Sequence, residues 1–295
     1  MDRKRQLGEF LQARRARLAP SDIDLQTFGD RRRVSGLRRE ELAALAGVSP
    51  SYYSRLEQGQ SLNASKEVLD AIADALRLDV AERQHLHDLA AAARTRTGGK
   101  ARPPLVVTPA VSELLETMSN VPSLVLDQAT DVVAWNRAGH GLFAGHLPFD
   151  QPNQVRNRPN MTRLMFDDEH TRELYVDWSV KAKAVVAGLR LSSGENPGDP
   201  VIARIVGELS VNHSEFSAMW ADHRVKSGGA MTYSMRHPLV GLLDVTQQTL
   251  IADKGQRLVV ASTEPGTSSS EAMTLLIHAL NHTAAESNPA HHRLT

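Results

Sequence analysis

The 295 residues hold 34 Lys and Arg against 34 Asp and Glu, with 41% hydrophobic residues, which suits a globular protein long enough for about two domains. Cysteine is absent, which excludes disulfides, thiolate chemistry, iron–sulfur clusters and cysteine-ligated zinc. No run approaches the ~18 uninterrupted apolar residues of a membrane span, and the basic start, Met1 to Gln6, leads into an amphipathic pattern without the apolar core of a secretory signal, so a cytoplasmic protein is expected.

In chain order, Leu7, Phe10, Leu11 and Leu18 mark the apolar face of a first helix, with Arg14, Arg15 and Arg17 between them. An irregular stretch follows, broken by Pro20, Gly29 and Gly36. It carries Arg31, Arg32 and Arg33, a run that suits either DNA backbone or minor-groove contact or a solvated loop. Two short helices are expected at about 38–46 and 50–58, then a loop with Gly59 and Asn63. A helix over 65–76 has the stripe Val68, Leu69, Ile72, Ala73 and Leu76, and a last one over 80–93 presents Val80, Leu86 and Leu89. These make an all-α, five-helix domain over 1–93.

Residues 94–104 lack apolar periodicity and read as a linker. The second domain, 105–284, reads as α+β with an antiparallel sheet. A short helix is expected at 111–118, strands at 123–126 and 131–135 around a turn at 127–130, and helices at 168–191 and 199–222. Three more strands follow at 231–236, 241–250 and 257–263, then a helix at 269–284 and a flexible tail, 285–295. Charge divides along the same line. Residues 1–102 carry 19 Lys and Arg against 14 Asp and Glu, and the remainder 15 against 20, so the first part is the one suited to a polyanion.

The window from Arg39 to Gln58 has the spacing of a helix-turn-helix. Counted from Arg39, the crossing residue Ala43 is fifth and the turn residue Gly47 ninth. Leu42, Ala46, Val48, Tyr53 and Leu56 occupy the inward positions. Gly47 suits the left-handed end of the first helix; Ser49 caps the second, with Pro50 at its first position. The outward residues of the second helix are those a recognition helix turns into the major groove. Arg38, Arg39, Ser49, Ser51, Tyr52, Ser54, Arg55 and Gln58 are the candidate DNA contacts, and Arg55 is suited to reading guanine O6 and N7. Glu57 is expected to pair with Arg15 as a structural ion pair.

The segment RRRVSGLRREELAALAGVSPSYYSRLEQGQ resembles the Xre/Cro-type helix-turn-helix of actinobacterial regulators. That resemblance covers about 5–93 and implies a homodimer on palindromic double-stranded operator DNA. Pro50 departs from it, standing where phage repressors often place a polar base-reading residue, which shifts the expected readout to Ser51, Ser54 and Arg55.

The stretches VPSLVLDQATDVVAWNRAG, ELYVDW, GELSVNHSEFSAMWADHRV and RLVVASTEPGTSSSEA are similar to the ligand-binding domain of MmyB-like regulators, over about 105–280. The first also resembles the opening of a PAS-like fold. The resemblance implies a PAS-like domain for a fatty acid or similar apolar molecule. Seven of the eight methionines and all three tryptophans lie beyond residue 105; such side chains suit an adaptable apolar pocket and equally an ordinary core. Trp135, Phe143, Met165, Tyr175, Trp178, Phe216, Trp220, Met231 and Tyr233 are the candidate ligand contacts. Arg137, Arg163, Arg236 and His237 are available to an acidic head group, and the sequence does not select among them.

Gly139 to Gly145 has one residue too many for a dinucleotide loop. No metal-binding or nucleophile motif is present, so no metal, cofactor or enzymatic activity is expected. A small-molecule sensor is one reading of the second domain; a pure dimerisation or partner-binding module is the other, and an enzyme with a DNA-binding appendage is a third.

Overall fold

The computed structural model describes residues 3–19, 36–60, 64–94, 105–196, 198–222, 229–252 and 255–287. The Arg31–Arg33 run, Asn63, the linker beyond residue 94 and the tail from 288 lie outside them. The chain divides into two units, 1–101 with 190–227, and 102–189 with 228–295. In this division residues 190–227 group with the N-terminal part rather than with the sheet.

In the first unit the apolar stripes fold as expected into α1 (Arg3–Arg17), α2 (Arg39–Leu45), α3 (Pro50–Glu57), α4 (Lys66–Ala75) and α5 (Val80–Arg94). Their starts are set by side chains that accept otherwise orphaned backbone N–H groups. Ser49 Oγ accepts from Tyr52 N–H at 3.2 Å, and Ser65 Oγ from Val68 N–H at 3.4 Å. Asp79 and Glu82 form a reciprocal cap, at 2.8 and 3.2 Å. Leu7, Phe10 and Leu11 pack with Leu42, Tyr53, Leu56, Leu69, Ile72 and Leu86 in one core, all at most 1% exposed. Burying each such side chain contributes about 1.5–3 kcal/mol. Val80, expected on the apolar face, is instead 87% exposed, because it opens α5 beyond the stripe.

The expected helix over 199–222 is two helices, α11 (Pro200–Asn212) and α12 (Ser214–Ala221), separated by His213 in an extended conformation. The helix over 168–191 is likewise divided, into α9 (Glu169–Leu174) and α10 (Trp178–Glu195). Between them Tyr175 is extended and bridges to Met235, and Val176 N–H donates to Ser234 carbonyl at 3.0 Å. Bonds to a strand replace the helical bonds given up at the break.

The sheet of the second unit has five antiparallel strands, β1 (Ser123–Leu126), β2 (Val132–Trp135), β3 (Met231–His237), β4 (Gly241–Ile251) and β5 (Arg257–Ser262), in the order β2-β1-β5-β4-β3. Helix α6 (Pro109–Thr117) packs Val111 and Leu115 against Val125, Val133 and Leu258. Toward β3 and β4, every second residue is buried: Tyr233, Met235 and His237 on one strand, Leu243, Val245 and Gln247 on the other. The unit also holds α7 (Arg137–Ala144), α8 (Met161–Asp167) and α13 (Ser268–Ser287). Helix α8 was not anticipated.

Asn136 holds the strand-to-helix step after β2. Its Oδ1 accepts from Ser123 and Gly139 N–H at 3.0 and 2.7 Å, and its Nδ2 donates to Met118 and Val121 carbonyls at 2.7 and 2.8 Å. A Cβ at Gly139 would fall 2.2 Å from Ser123 carbonyl oxygen. That glycine thus serves helix-on-strand packing.

Candidate functional site

The helix-turn-helix forms as its spacing requires. Ala46 ends α2, and Gly47 takes φ +64°, the left-handed turn that leads into α3. Tyr53 and Leu56 are fully buried, so the opposite side of α3 faces outward. Ser51, Arg55 and Gln58 are exposed there; Tyr52 and Ser54 are half-buried, Tyr52 resting against the core. Ser49 is exposed but already occupied as the cap, and Gln58 Nε2 donates to Ser54 Oγ at 3.4 Å. Arg38 is exposed, and its backbone N–H donates to Glu41 Oε2 at 2.7 Å.

Behind this surface lies a buried carboxylate. Arg15 donates from Nε and Nη2 to both oxygens of Glu57, each at 2.9 Å, and from Nη1 to Leu37 carbonyl at 2.6 Å. The expected pair is therefore present. Sequence reasoning missed the second partner: Arg39 Nε reaches Glu57 Oε1 at 2.9 Å. Burial acts to raise the Glu57 carboxyl, but the two guanidiniums outweigh it and hold it below the usual range. Two cations on one anion leave a net positive charge beside α3, with the Arg39 side chain still 44% exposed.

The candidate ligand contacts do not form one group. Phe216 and Trp220 stack at 5.8 Å, with the Arg190 guanidinium 4.1 Å over Trp220, and all three belong to the first unit. Trp135 donates to Phe149 carbonyl at 2.7 Å and packs on His140. Phe143 is buried in α7. Trp178 Nε1 donates to Met165 carbonyl at 2.8 Å, and its ring meets Phe166 edge-on at 5.5 Å.

Apart from the Phe216–Trp220 and Trp178–Met165 pairs, three of the nine form one cluster. Tyr175 and Tyr233 pack edge to face at 5.8 Å, and Tyr233 Oη lies 3.3 Å from Met231 Sδ. The register of β3 on β4 places Met231 opposite Gln247, whose Nε2 donates to Tyr175 Oη at 3.3 Å. Lys181, from the first turns of α10, completes the cluster. Its Nζ donates to Gln247 Oε1 and stands 4.5 Å from the Tyr233 ring and 5.3 Å from that of Tyr175. Burial pushes its amine down to about 7. Neither Lys181 nor Gln247 was expected, because a lysine in an apolar helix reads as solvated.

The four polar groups considered for an acidic head group fare differently. His237 is buried and satisfied: Leu239 N–H donates to its Nδ1 at 3.3 Å, so its Nε2 carries the proton toward Gly141 carbonyl, 3.0 Å away. Arg236 is exposed on the outward side of β3. Arg137 is exposed and its guanidinium lies 5.1 Å over the Phe149 ring. Arg163 is half-buried near Asp131, whose carboxyl is pushed up by burial against the hydrogen bond from Asn160 and the weaker pull of Arg158 and Arg163.

Among the described residues, no group of three or more His, Asp or Glu side chains is placed to hold a metal ion, and no helix is long and apolar enough to cross a membrane.

Two family models match the chain: a helix-turn-helix domain over residues 6–86, and the MmyB-like transcription regulator ligand binding domain over residues 107–276. No curated protein matches it. The second model alone spans more than half of the chain. With a helix-turn-helix ahead of that domain, the chain belongs to the MmyB-like transcription regulators and is a DNA-binding protein.

Proposed function

We propose that the protein is a one-component regulator. Its helix-turn-helix binds palindromic operator DNA as a homodimer in the cytoplasm, and its second domain senses a small apolar ligand of fatty-acid type. The domains are taken as 1–93 and 105–284, in keeping with the matched family models. The observation that carries the DNA reading is the outward row of α3, held by buried Tyr53 and Leu56, with Arg55 exposed on it. Ser51, Ser54 and Arg55 read base edges, while Arg38, Arg39, Ser49, Tyr52 and Gln58 meet the backbone or flank the read bases. The strand order β2-β1-β5-β4-β3 supports a PAS-like domain. The meeting of Tyr175, Tyr233 and Met231 supports a ligand site there rather than at Phe216 and Trp220.

A ligand regulates only if it binds one state better than the other. Native mass spectrometry of the full chain, alone and with duplex DNA, tests the reading. The expected spectrum is a dimer with an added mass that is lost on denaturation. A monomer without added mass that takes up no duplex would overturn it; an unliganded dimer would favour a dimerisation role for the second domain.

A further inference from the structure

We propose that Lys181 anchors the head group of a carboxylate ligand whose apolar body lies among Tyr175, Tyr233, Met231 and Met235. This deepens the ligand-binding reading of the second domain and rests on it.

Lys181 is half-buried, and its amine lies between two tyrosine rings and a glutamine oxygen. A lysine stem commonly lets the charge reach water; here the charged end points at the underside of β3 and β4 instead. Ring faces and an amide oxygen favour the ammonium but do not neutralise it. Among the described residues, Lys181 has no ion pair. A charge taken from water is stabilised when it is paired. One monovalent anion supplies the pair, and the surrounding rings and thioethers suit an apolar chain better than a phosphate or a sugar.

The titratable groups facing the amine are few. Tyr175, at the end of α9, and Tyr233, on β3, are both pushed up by burial and stay neutral. β4 contributes the uncharged Gln247. On α10 itself, Asp177 is exposed and directs its Oδ1 to Val180 N–H at 3.2 Å, and Lys183 is exposed. No charged neighbour opposes the effect of burial on Lys181. The sign of the pH dependence follows. A carboxylate binds the protonated amine, so its affinity is full below about 7 and falls as pH rises through that value, by up to about tenfold per unit.

The test titrates the full chain with dodecanoate and with dodecanol, at pH 6 and pH 8.5, followed by tryptophan fluorescence and calorimetry. Wild type is expected to favour dodecanoate by about tenfold or more at pH 6 and to lose most of that preference at pH 8.5. Lys181→Met should bind dodecanol as before and show no preference at either pH. Lys181→Arg should keep the preference at both, since a guanidinium stays charged. Equal binding of the two probes by wild type, or the same preference in Lys181→Met, would overturn the anchor while leaving the ligand-binding reading intact. If wild type binds neither probe, both fall.

Discussion

Arg55 and Glu57 stand two residues apart on α3 and have opposite duties. Arg55 is exposed on the outward side. Arg55→Ala should weaken specific operator binding by about 1–3 kcal/mol, the worth of a bidentate guanine contact, with an unchanged melting temperature. Undiminished affinity in a direct titration would remove Arg55 from the readout. Glu57 has only 1% of its side chain exposed and satisfies two guanidiniums, one of them nearly buried itself. Glu57→Gln should destabilise the fold by about 3–5 kcal/mol, because it leaves a buried cation uncompensated. Since the folded carboxyl sits below its unfolded value, its contribution is present above about pH 4.3 and fades as pH falls through the folded value. The melting gap between wild type and Glu57→Gln should therefore close in acid. A gap that did not narrow at all in acid would argue against the ion pair as its source. The Arg15–Glu57 pair was legible as an acid next to the packed Leu56 with arginines on the first helix to meet it; the Arg39 contact was not, since an arginine at a helix start reads equally well as a phosphate ligand. Arg39→Ala thus changes stability as well as any backbone contact.

At the level of the element, the helix-turn-helix was readable almost residue by residue, and for a local reason. Gly47, Ser49 and Pro50 each answer to the backbone within a turn or two of themselves, and Tyr53 and Leu56 follow them at fixed spacing. Gly47 illustrates it: a Cβ there would meet nothing within 4 Å, so only its φ of +64° demands glycine. Gly47→Ala should cost about 1–2 kcal/mol in urea unfolding, and Gly47→Asn less. Equal stability of all three proteins would show that the turn relaxes. The five strands were legible too, since their β-branched and alternating runs are bounded by turns. The division between α9 and α10 was not. Nothing near Tyr175 breaks a helix; the cause is β3, some sixty residues later, which takes Tyr175 and Val176 as partners. Lys181 was hidden for the same reason. Its environment is made by Tyr233 and Gln247, which no periodicity of α10 reveals.

At the scale of the molecule, the boundary between the two units falls inside α10, after Leu189. Lys181 precedes the boundary and Arg190, over Trp220, follows it. A ligand that shifts operator affinity by some factor must itself bind more tightly or loosely by that same factor when operator is present. Unequal factors in the two calorimetric titrations would show that the bound states are not those assumed. The central claim remains that the outward side of α3 reads a DNA sequence. The most direct measurement is selection of the full chain against a random duplex pool, followed by anisotropy titration of the enriched sequence over a range of salt. An enriched palindrome is expected, bound at least about a thousandfold more tightly than unrelated duplex, with affinity falling steeply as salt rises. A pool that shows no enrichment, or binding indifferent to sequence, would contradict it.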